Sequence, residues 1–166
     1  GIRSTGLRYF TVYGPWGRPD MAPTLFARSI FKGETIKVFN HGIMRRDFTY
    51  IDDVIECVFR LLHKIPSPDP EWSSANPDPS SSNAPFRIYN IGHNHPVKLM
   101  EFISVLEEKI GKPANMEFMP LQPGDVRETY ADIEDLSNAI GYKPQITLKE
   151  GISLFIDWYI DYYGKQ

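Results

Sequence analysis

Two short stretches combine arginine and carboxylate side chains in a way that could hold an anion. Arg45 and Arg46 stand side by side between a turn and a helical pattern. The stretch QPGDVRETYAD (122–132) places Asp125 and Arg127 around a Pro-Gly break. Arginine presents a planar fork of donors that suits phosphate, and aspartate can accept hydrogen bonds from a sugar diol. Both stretches are therefore candidates for phosphate or sugar contact, and the alternative is an ordinary solvated junction and loop.

A lone cation, Arg18, lies where an aromatic strand breaks into a loop of glycines and prolines. The stretch RYFTVYGPWGRPDM (8–21) begins as a strand and breaks at Gly14-Pro15. Ligands of open α/β sheets bind beyond the carboxyl ends of strands, so a cation at this place could meet an acidic ligand. The alternative is a surface arginine.

Three other groups favour structural interpretations. His93 and His95 could be two metal ligands, but no third ligand stands at a recognisable spacing, so the sequence predicts a turn after a strand and no metal site. Asp52 and Asp53 could form an acid/base pair, yet at a helix start they are more simply partners of the helix dipole. Cys57 lies on an apolar helical face and is predicted to be a small core residue.

Two catalytic signatures are missing from the chain. No glycine-rich phosphate-binding turn is present, and no tyrosine is followed by lysine four places on. The chain therefore offers binding groups without a proton-transfer pair. One hypothesis is the binding half of an enzyme; the other is a non-catalytic nucleotide-sugar-binding or dimerisation module, in which aromatic-rich helices would form the interface.

Hydrophobic periodicity places these groups in alternating strands and helices, which predicts an α/β fold. Strands are predicted at residues 6–12, 35–39, 86–92 and 115–120. Helices are predicted at residues 21–32, 51–63, 97–110, 132–141 and 148–163. The proline- and serine-rich loop 64–86 is too long for a normal connector, so we expect a functional flap or a mobile insertion.

Composition excludes several classes of protein. The 166 residues suffice for one domain, and 42% are hydrophobic, which argues against disorder. The net charge of −3 and the scattered cations give no reason to expect nucleic acid or a membrane surface as a partner. A single cysteine fits a reducing, cytoplasmic compartment. Because the chain lacks an initial Met and runs directly into a strand, we expect a start within a longer protein.

Four segments in this order resemble the C-terminal half of extended short-chain dehydrogenase/reductases. They are LRYFTVYGPWGRPDMA (7–22), RRDFTYIDDV (45–54), YNIG (89–92) and GDVRETYAD (124–132). Within that superfamily the chain is most similar to UDP-glucuronate 4-epimerases of the capsule and cell-wall type. The resemblance implies a Rossmann-type α/β fold with a substrate lobe. Residues 1–12 and 48–96 would be remnants of the NAD-binding domain, and residues 13–47 and 97–166 would form the UDP-sugar lobe.

The resemblance also implies roles for individual residues. Thr11 and Arg18 would meet the sugar carboxylate, and Val12 and Tyr13 would line the nicotinamide side of NAD. The remaining implied contacts are all with the nucleotide: Val38 and Phe39 near uracil, Arg46 and Arg127 holding the diphosphate from two sides, Asp125 near ribose or phosphate, and Asn90 near the pyrophosphate. The catalytic Tyr-x-x-x-Lys pair and the glycine-rich NAD turn would lie upstream, so no catalytic residue is assigned in this chain.

The implied reaction is a transient oxidation. NAD would take the C4 hydride of UDP-glucuronate, the 4-keto sugar would rotate about its diphosphate anchor, and the hydride would return to give UDP-galacturonate. Another UDP- or dTDP-sugar epimerase, dehydratase or decarboxylase remains the alternative within the superfamily. We expect this chain alone to be inactive. We also expect a homo-oligomer, most simply a dimer, because an incomplete sheet exposes an unpaired edge.

Overall fold

A computed structural model describes residues 2–164 and confirms the expected α/β class. Residue 1 and residues 165–166, at the ends of two segments predicted above, lie outside the described residues. The strands are β1 (Ser4–Tyr9), β2 (Thr11–Tyr13), β3 (Thr35–Val38), β4 (Arg45–Tyr50), β5 (Phe86–Ile91), β6 (Pro96–Lys98) and β7 (Asn115–Phe118). The helices are α1 (Ala22–Lys32), α2 (Ile51–Leu61), α3 (Leu99–Ile110), α4 (Glu134–Ile140) and α5 (Leu148–Tyr163). Each predicted helix is therefore present.

The strand predicted at residues 6–12 is two strands. β1 pairs in parallel with β5, whereas β2 pairs in parallel with β4. The chain changes partner at Phe10, whose amide donates to the Ile91 carbonyl at 3.2 Å, while the Val12 amide donates to the Phe10 carbonyl at 2.9 Å. This break carries the chain from one sheet to the next and leaves Thr11 at the junction.

Two strands were not predicted from the sequence. β4 begins with the charged residues Arg45, Arg46 and Asp47, which interrupt the apolar and aromatic pattern that predicts a strand. β6 occupies the start of the helix predicted at residues 97–110 and runs antiparallel to β4. β4 therefore lies between β2 and β6, while β3 pairs in parallel with β7.

The apolar side chains form two clusters. The larger packs α1, α3 and α5 around β2–β4, with Phe48 stacked on Phe102 at a centroid distance of 4.2 Å. The smaller packs α2 and α4 against β5 around Cys57, Ile91 and Leu136. Burying such side chains is the main favourable contribution to folding, so each cluster fixes the strands at its boundary. The division into a Rossmann remnant and a substrate lobe stays a prediction.

The loop 64–86 carries hydrogen bonds of its own. The Ser81 hydroxyl donates to Asp69 at 2.8 Å, and this bond lowers the pKa of the Asp69 carboxyl. The Trp72 indole donates to the Asp78 carbonyl at 3.3 Å. The Ile88 amide of β5 donates to the Ser80 carbonyl at 2.8 Å, which ties the end of the loop to the sheet. The functional role of this loop stays a prediction.

Candidate functional site

The principal candidate site is a cavity of about 250 Å³ beside β2 and β4. Four residues predicted to bind substrate line it together: Thr11, Phe39, Arg46 and Asp125. Its apolar wall comes from the start of α1, where Pro23 and Phe26 face the cavity, and from the start of α3. Pro23 is tolerated in the first helical turn because its missing amide hydrogen has no intrahelical partner there. The site therefore combines an apolar wall with a small set of polar groups.

Arg46 and Asp125 form the polar centre of this cavity. The Arg46 Nη2 donates to Asp125 Oδ1 at 2.7 Å. The Arg46 side chain is only 17% exposed and the Asp125 side chain only 31% exposed. Asp125 Oδ1 also accepts from the Val126 amide at 2.8 Å. A guanidinium has five donor hydrogens, so Arg46 keeps donors for a ligand after binding Asp125. A half-enclosed, oriented guanidinium of this kind suits a phosphate group.

Asp47 is the residue that the sequence analysis missed. It is fully buried, and its Oδ1 accepts from the His93 amide at 2.7 Å. Its Oδ2 accepts from the Asn94 and Ala131 amides, each at 3.0 Å. Asp47 thus ties β4 to the turn after β5 and to the segment that follows Asp125. A buried carboxylate with three amide donors is well satisfied, so it holds the Asp125 loop beside Arg46.

A glycine makes this close approach possible. A Cβ built on Gly92 would lie 2.2 Å from the Ala131 Cβ, and 3.3 Å from Asp47 Oδ2. Any side chain at Gly92 would push the Ala131 segment away from β4. The signals in the sequence were the acidic residue inside an aromatic strand and the glycine at the end of YNIG.

The structure also changes the interpretation of Asp53. It was predicted to act as a partner of the helix dipole, but only 1% of it is exposed, and it accepts from the Gln145 and Ile146 amides at 3.0 and 2.9 Å. The Tyr142 hydroxyl donates to its other oxygen. Burial and this bond raise the pKa of Tyr142 above its usual range. Asp53 is therefore a long-range tie between α2 and the segment before α5, whereas Asp52 stays exposed in the first helical turn.

Arg18 does not line the principal cavity. Its side chain is 74% exposed and binds Asp20 through a salt bridge, with the Arg18 Nε donating to Asp20 Oδ1 at 3.1 Å. The hydrogen bond raises the pKa of Arg18 and lowers the pKa of Asp20. The residues of this loop that do line the cavity are Asp20 and Met21. The contact between Arg18 and a sugar carboxylate stays a prediction.

Arg127 and Asn90 lie outside the principal cavity. Arg127 lines a second cavity together with Arg45 and Glu128, so the structure does not bring it to the same cavity as Arg46. The two-sided clamp of the diphosphate by Arg46 and Arg127 stays a prediction. The Asn90 side chain donates to the Asp132 carbonyl at 2.9 Å, which joins β5 to the segment before α4. Its contact with a pyrophosphate stays a prediction.

The remaining predicted contact residues are held by the core. Val38 is fully buried, and its carbonyl accepts from the Met119 amide at 2.9 Å. Tyr13 is 3% exposed, and its ring packs edge-on against Phe48 and Phe102. Burial raises the pKa of Tyr13 above its usual range. Val12 packs against the smaller apolar cluster. Contacts of Val12 and Tyr13 with NAD stay predictions.

Cys57 and the two neighbouring histidines, His93 and His95, were predicted to have structural roles. Cys57 is fully buried in the smaller apolar cluster, which confirms a core residue. Burial raises the pKa of its thiol to about 11. The rings of His93 and His95 are 6.4 Å apart, and residues 2–164 contain no group of three His, Cys, Asp or Glu side chains able to hold a metal ion. Within the same residues, none of the helices is both long enough and apolar enough to span a membrane.

Comparisons with known proteins agree on one family. The NAD dependent epimerase/dehydratase family matches residues 1–92. Protein CapI of Staphylococcus aureus is 56% identical over 164 residues, which cover 99% of this chain and 49% of CapI. A probable UDP-glucuronate 4-epimerase of Rhizobium meliloti is 43% identical over 168 residues, covering 99% of this chain and 48% of that protein. The chain thus spans about half the length of the curated relatives that it matches.

A solved structure shows the same architecture. UDP-glucuronic acid 4-epimerase from Bacillus cereus, in complex with UDP-glucuronic acid and NAD, superposes with a TM-score of 0.77 at 32% identity. The match covers 95% of this chain and 45% of that chain. The fold is therefore that of a Rossmann-type extended short-chain dehydrogenase/reductase, represented over about half of its length.

Proposed function

The chain belongs to the NAD dependent epimerase/dehydratase family, and we propose that it provides the UDP-sugar-binding part of a UDP-glucuronate 4-epimerase that forms UDP-galacturonate. The observation that carries this proposal is the oriented Arg46–Asp125 pair inside a cavity with an apolar wall. The names of the relatives, which include UDP-glucuronate 4-epimerases, support the choice of sugar nucleotide.

The cavity residues have separate roles in this proposal. Arg46 binds the diphosphate, and Asp125 orients Arg46 and can accept a hydrogen bond from a ribose hydroxyl. Phe39 presents its ring to the uracil, and Thr11 offers a hydroxyl to the sugar; both residues line the cavity. The anchor must be strong while the sugar pocket stays permissive, because the sugar has to present both faces in turn.

The described residues offer little that fits NAD. Tyr13 is enclosed by aromatic rings, Val12 packs into the smaller cluster, and the sequence lacks a glycine-rich phosphate-binding turn. When bound, NAD would supply reversible hydride transfer at the C4 position of the sugar. In our proposal, NAD is held mainly by residues outside this chain. The chain's own contribution is to bind and orient the nucleotide sugar.

The proposal is tested with a full-length protein that carries this chain. UDP-glucuronate and NAD are supplied, and UDP-galacturonate is followed by anion-exchange chromatography. We expect interconversion of the two sugars, and Arg46→Leu should weaken UDP binding by roughly 10- to 100-fold, since a hydrogen bond to a charged group contributes about 1.5–3 kcal/mol. Lys149→Leu, which removes one exposed charge elsewhere, is the control. Loss of carbon dioxide or water instead of epimerisation would contradict the proposed reaction.

A further inference from the structure

A second cavity, of about 380 Å³, is lined by an excess of positive charge. Arg45, Lys98 and Arg127 reach it, and Glu128 supplies its carboxylate. None of these residues lines the principal cavity, although the buried Met44 borders both. Apart from the predicted contact of Arg127 with the diphosphate, the proposed epimerisation assigns no role to the residues of this cavity.

Backbone pairing places Lys98 opposite Arg45 on one side of β4, and on the other side it places Glu128 opposite Arg45 with Arg127 next to Glu128 in the chain. Arg45 on β4 lies directly opposite Lys98 on the antiparallel strand β6. On the other side of β4, the Arg45 amide donates to the Arg127 carbonyl at 2.9 Å, and the Thr129 amide donates to the Arg45 carbonyl at 3.2 Å. Like charges directly opposite on paired strands destabilise a sheet. Glu128, which is bridged to Arg45 on the other side, offsets part of this repulsion.

The carboxylate present does not balance these cations. Glu128 lies 3.5 Å from the Arg45 Nε, and about half of each side chain is exposed. Another Arg45 nitrogen donates to the Pro96 carbonyl at 3.1 Å. Among residues 2–164, neither Lys98 nor Arg127 has a salt-bridge partner. The cavity thus keeps two unbalanced positive charges.

The rest of the lining is apolar. Ile43 is 74% exposed beside the cations, and Met100 forms another wall. Methionine adapts its shape to different partners, and a cavity of this size lies within the range of small-ligand sites. We propose that this cavity is a second anion site, which takes a small phosphate ester whose organic part lies against Ile43 and Met100. Arg45 and Arg127 bind the phosphate through their planar forks, and Lys98 adds a point charge.

Binding is tested by nuclear magnetic resonance on a full-length protein carrying this chain, labelled at its methionine methyl groups. The Arg46→Leu variant is used, so that binding at the principal cavity is weakened. Phenyl phosphate and inorganic phosphate are the probes. We expect phenyl phosphate to shift the Met100 methyl signal and to bind at least several-fold more tightly than inorganic phosphate. Equal affinity for the two probes, or an unmoved Met100 signal, would overturn the proposal.

A double variant separates this site from general surface charge. Lys98→Gln combined with Arg127→Gln should weaken phenyl phosphate binding at least 10-fold, and because both side chains are exposed the fold should be kept. The matched control is Lys64→Gln with Lys143→Gln, which removes the same charge from exposed positions outside both cavities. If the control weakens binding as much, the attraction is non-specific and the proposal is wrong.

Discussion

Replacement of Asp47 by Asn should strongly destabilise the protein, because the carboxylate accepts three backbone amides in a fully buried place. In the best orientation of the new side chain, the Asn oxygen still accepts hydrogen bonds from the Asn94 and Ala131 amides. The Asn amino group then faces the His93 amide, and because both groups are donors no hydrogen bond forms there. Losing one hydrogen bond to a charged group costs about 1.5–3 kcal/mol, and the two retained bonds weaken by about 1 kcal/mol each when the acceptor is neutral. The expected cost is therefore about 3.5–5 kcal/mol.

Urea unfolding, followed by circular dichroism, measures this cost. A domain of ordinary stability has about 5–15 kcal/mol in total, so the midpoint should fall by a large fraction. Asp52→Asn is the matched control, because it makes the same substitution at an exposed position in the first turn of a helix. This control should cost about 0.3–1 kcal/mol. If Asp47→Asn costs no more than the control, the three amide bonds do not hold the site together and our account of Asp47 is refuted.

Further outcomes are expected from simpler experiments. In a full-length protein, Arg18→Leu should lower kcat/KM for UDP-glucuronate by roughly 10- to 100-fold and leave the affinity for UDP, measured by calorimetry, unchanged. Arg46→Leu should instead weaken the binding of UDP. If both variants lost UDP affinity equally, Arg18 would be a phosphate ligand. Cys57 should resist iodoacetamide at pH 8 until the protein unfolds, and rapid labelling of the folded protein would contradict the buried thiol. Because folding raises the pKa of this thiol from 9.0 to about 11, the contribution of Cys57 should make the free energy of unfolding fall as the pH rises from about 9 to about 11. This chain alone should form no UDP-galacturonate, and turnover above the blank would show that a proton-transfer pair has been overlooked. Light scattering should report a dimer or larger assembly, and a monodisperse monomer would count against the exposed-edge argument.

Local patterns in the sequence were enough to predict the helices and the α/β class. The apolar spacing in α2 and the breakers before α1 depend on residues within a few positions of one another, and such signals survive without tertiary context. Arg46 and Asp125 were each found as candidate ligands from their residue types and from their similarity to the family. The family resemblance, and not periodicity, supplied the proposed UDP-sugar and NAD chemistry.

The tertiary structure decided which of these residues meet. Arg46 and Asp125 are 79 residues apart in the chain, and Asp47 and Ala131 are 84 apart, so neither contact has a local signal. Arg127 goes to the second cavity because the backbone of its segment pairs with Arg45. Residue types and spacing therefore determined what chemistry the chain carries. Long-range strand pairing and one buried carboxylate determined where that chemistry is assembled, because hydrogen bonds and packing between distant segments are satisfied only in the folded chain.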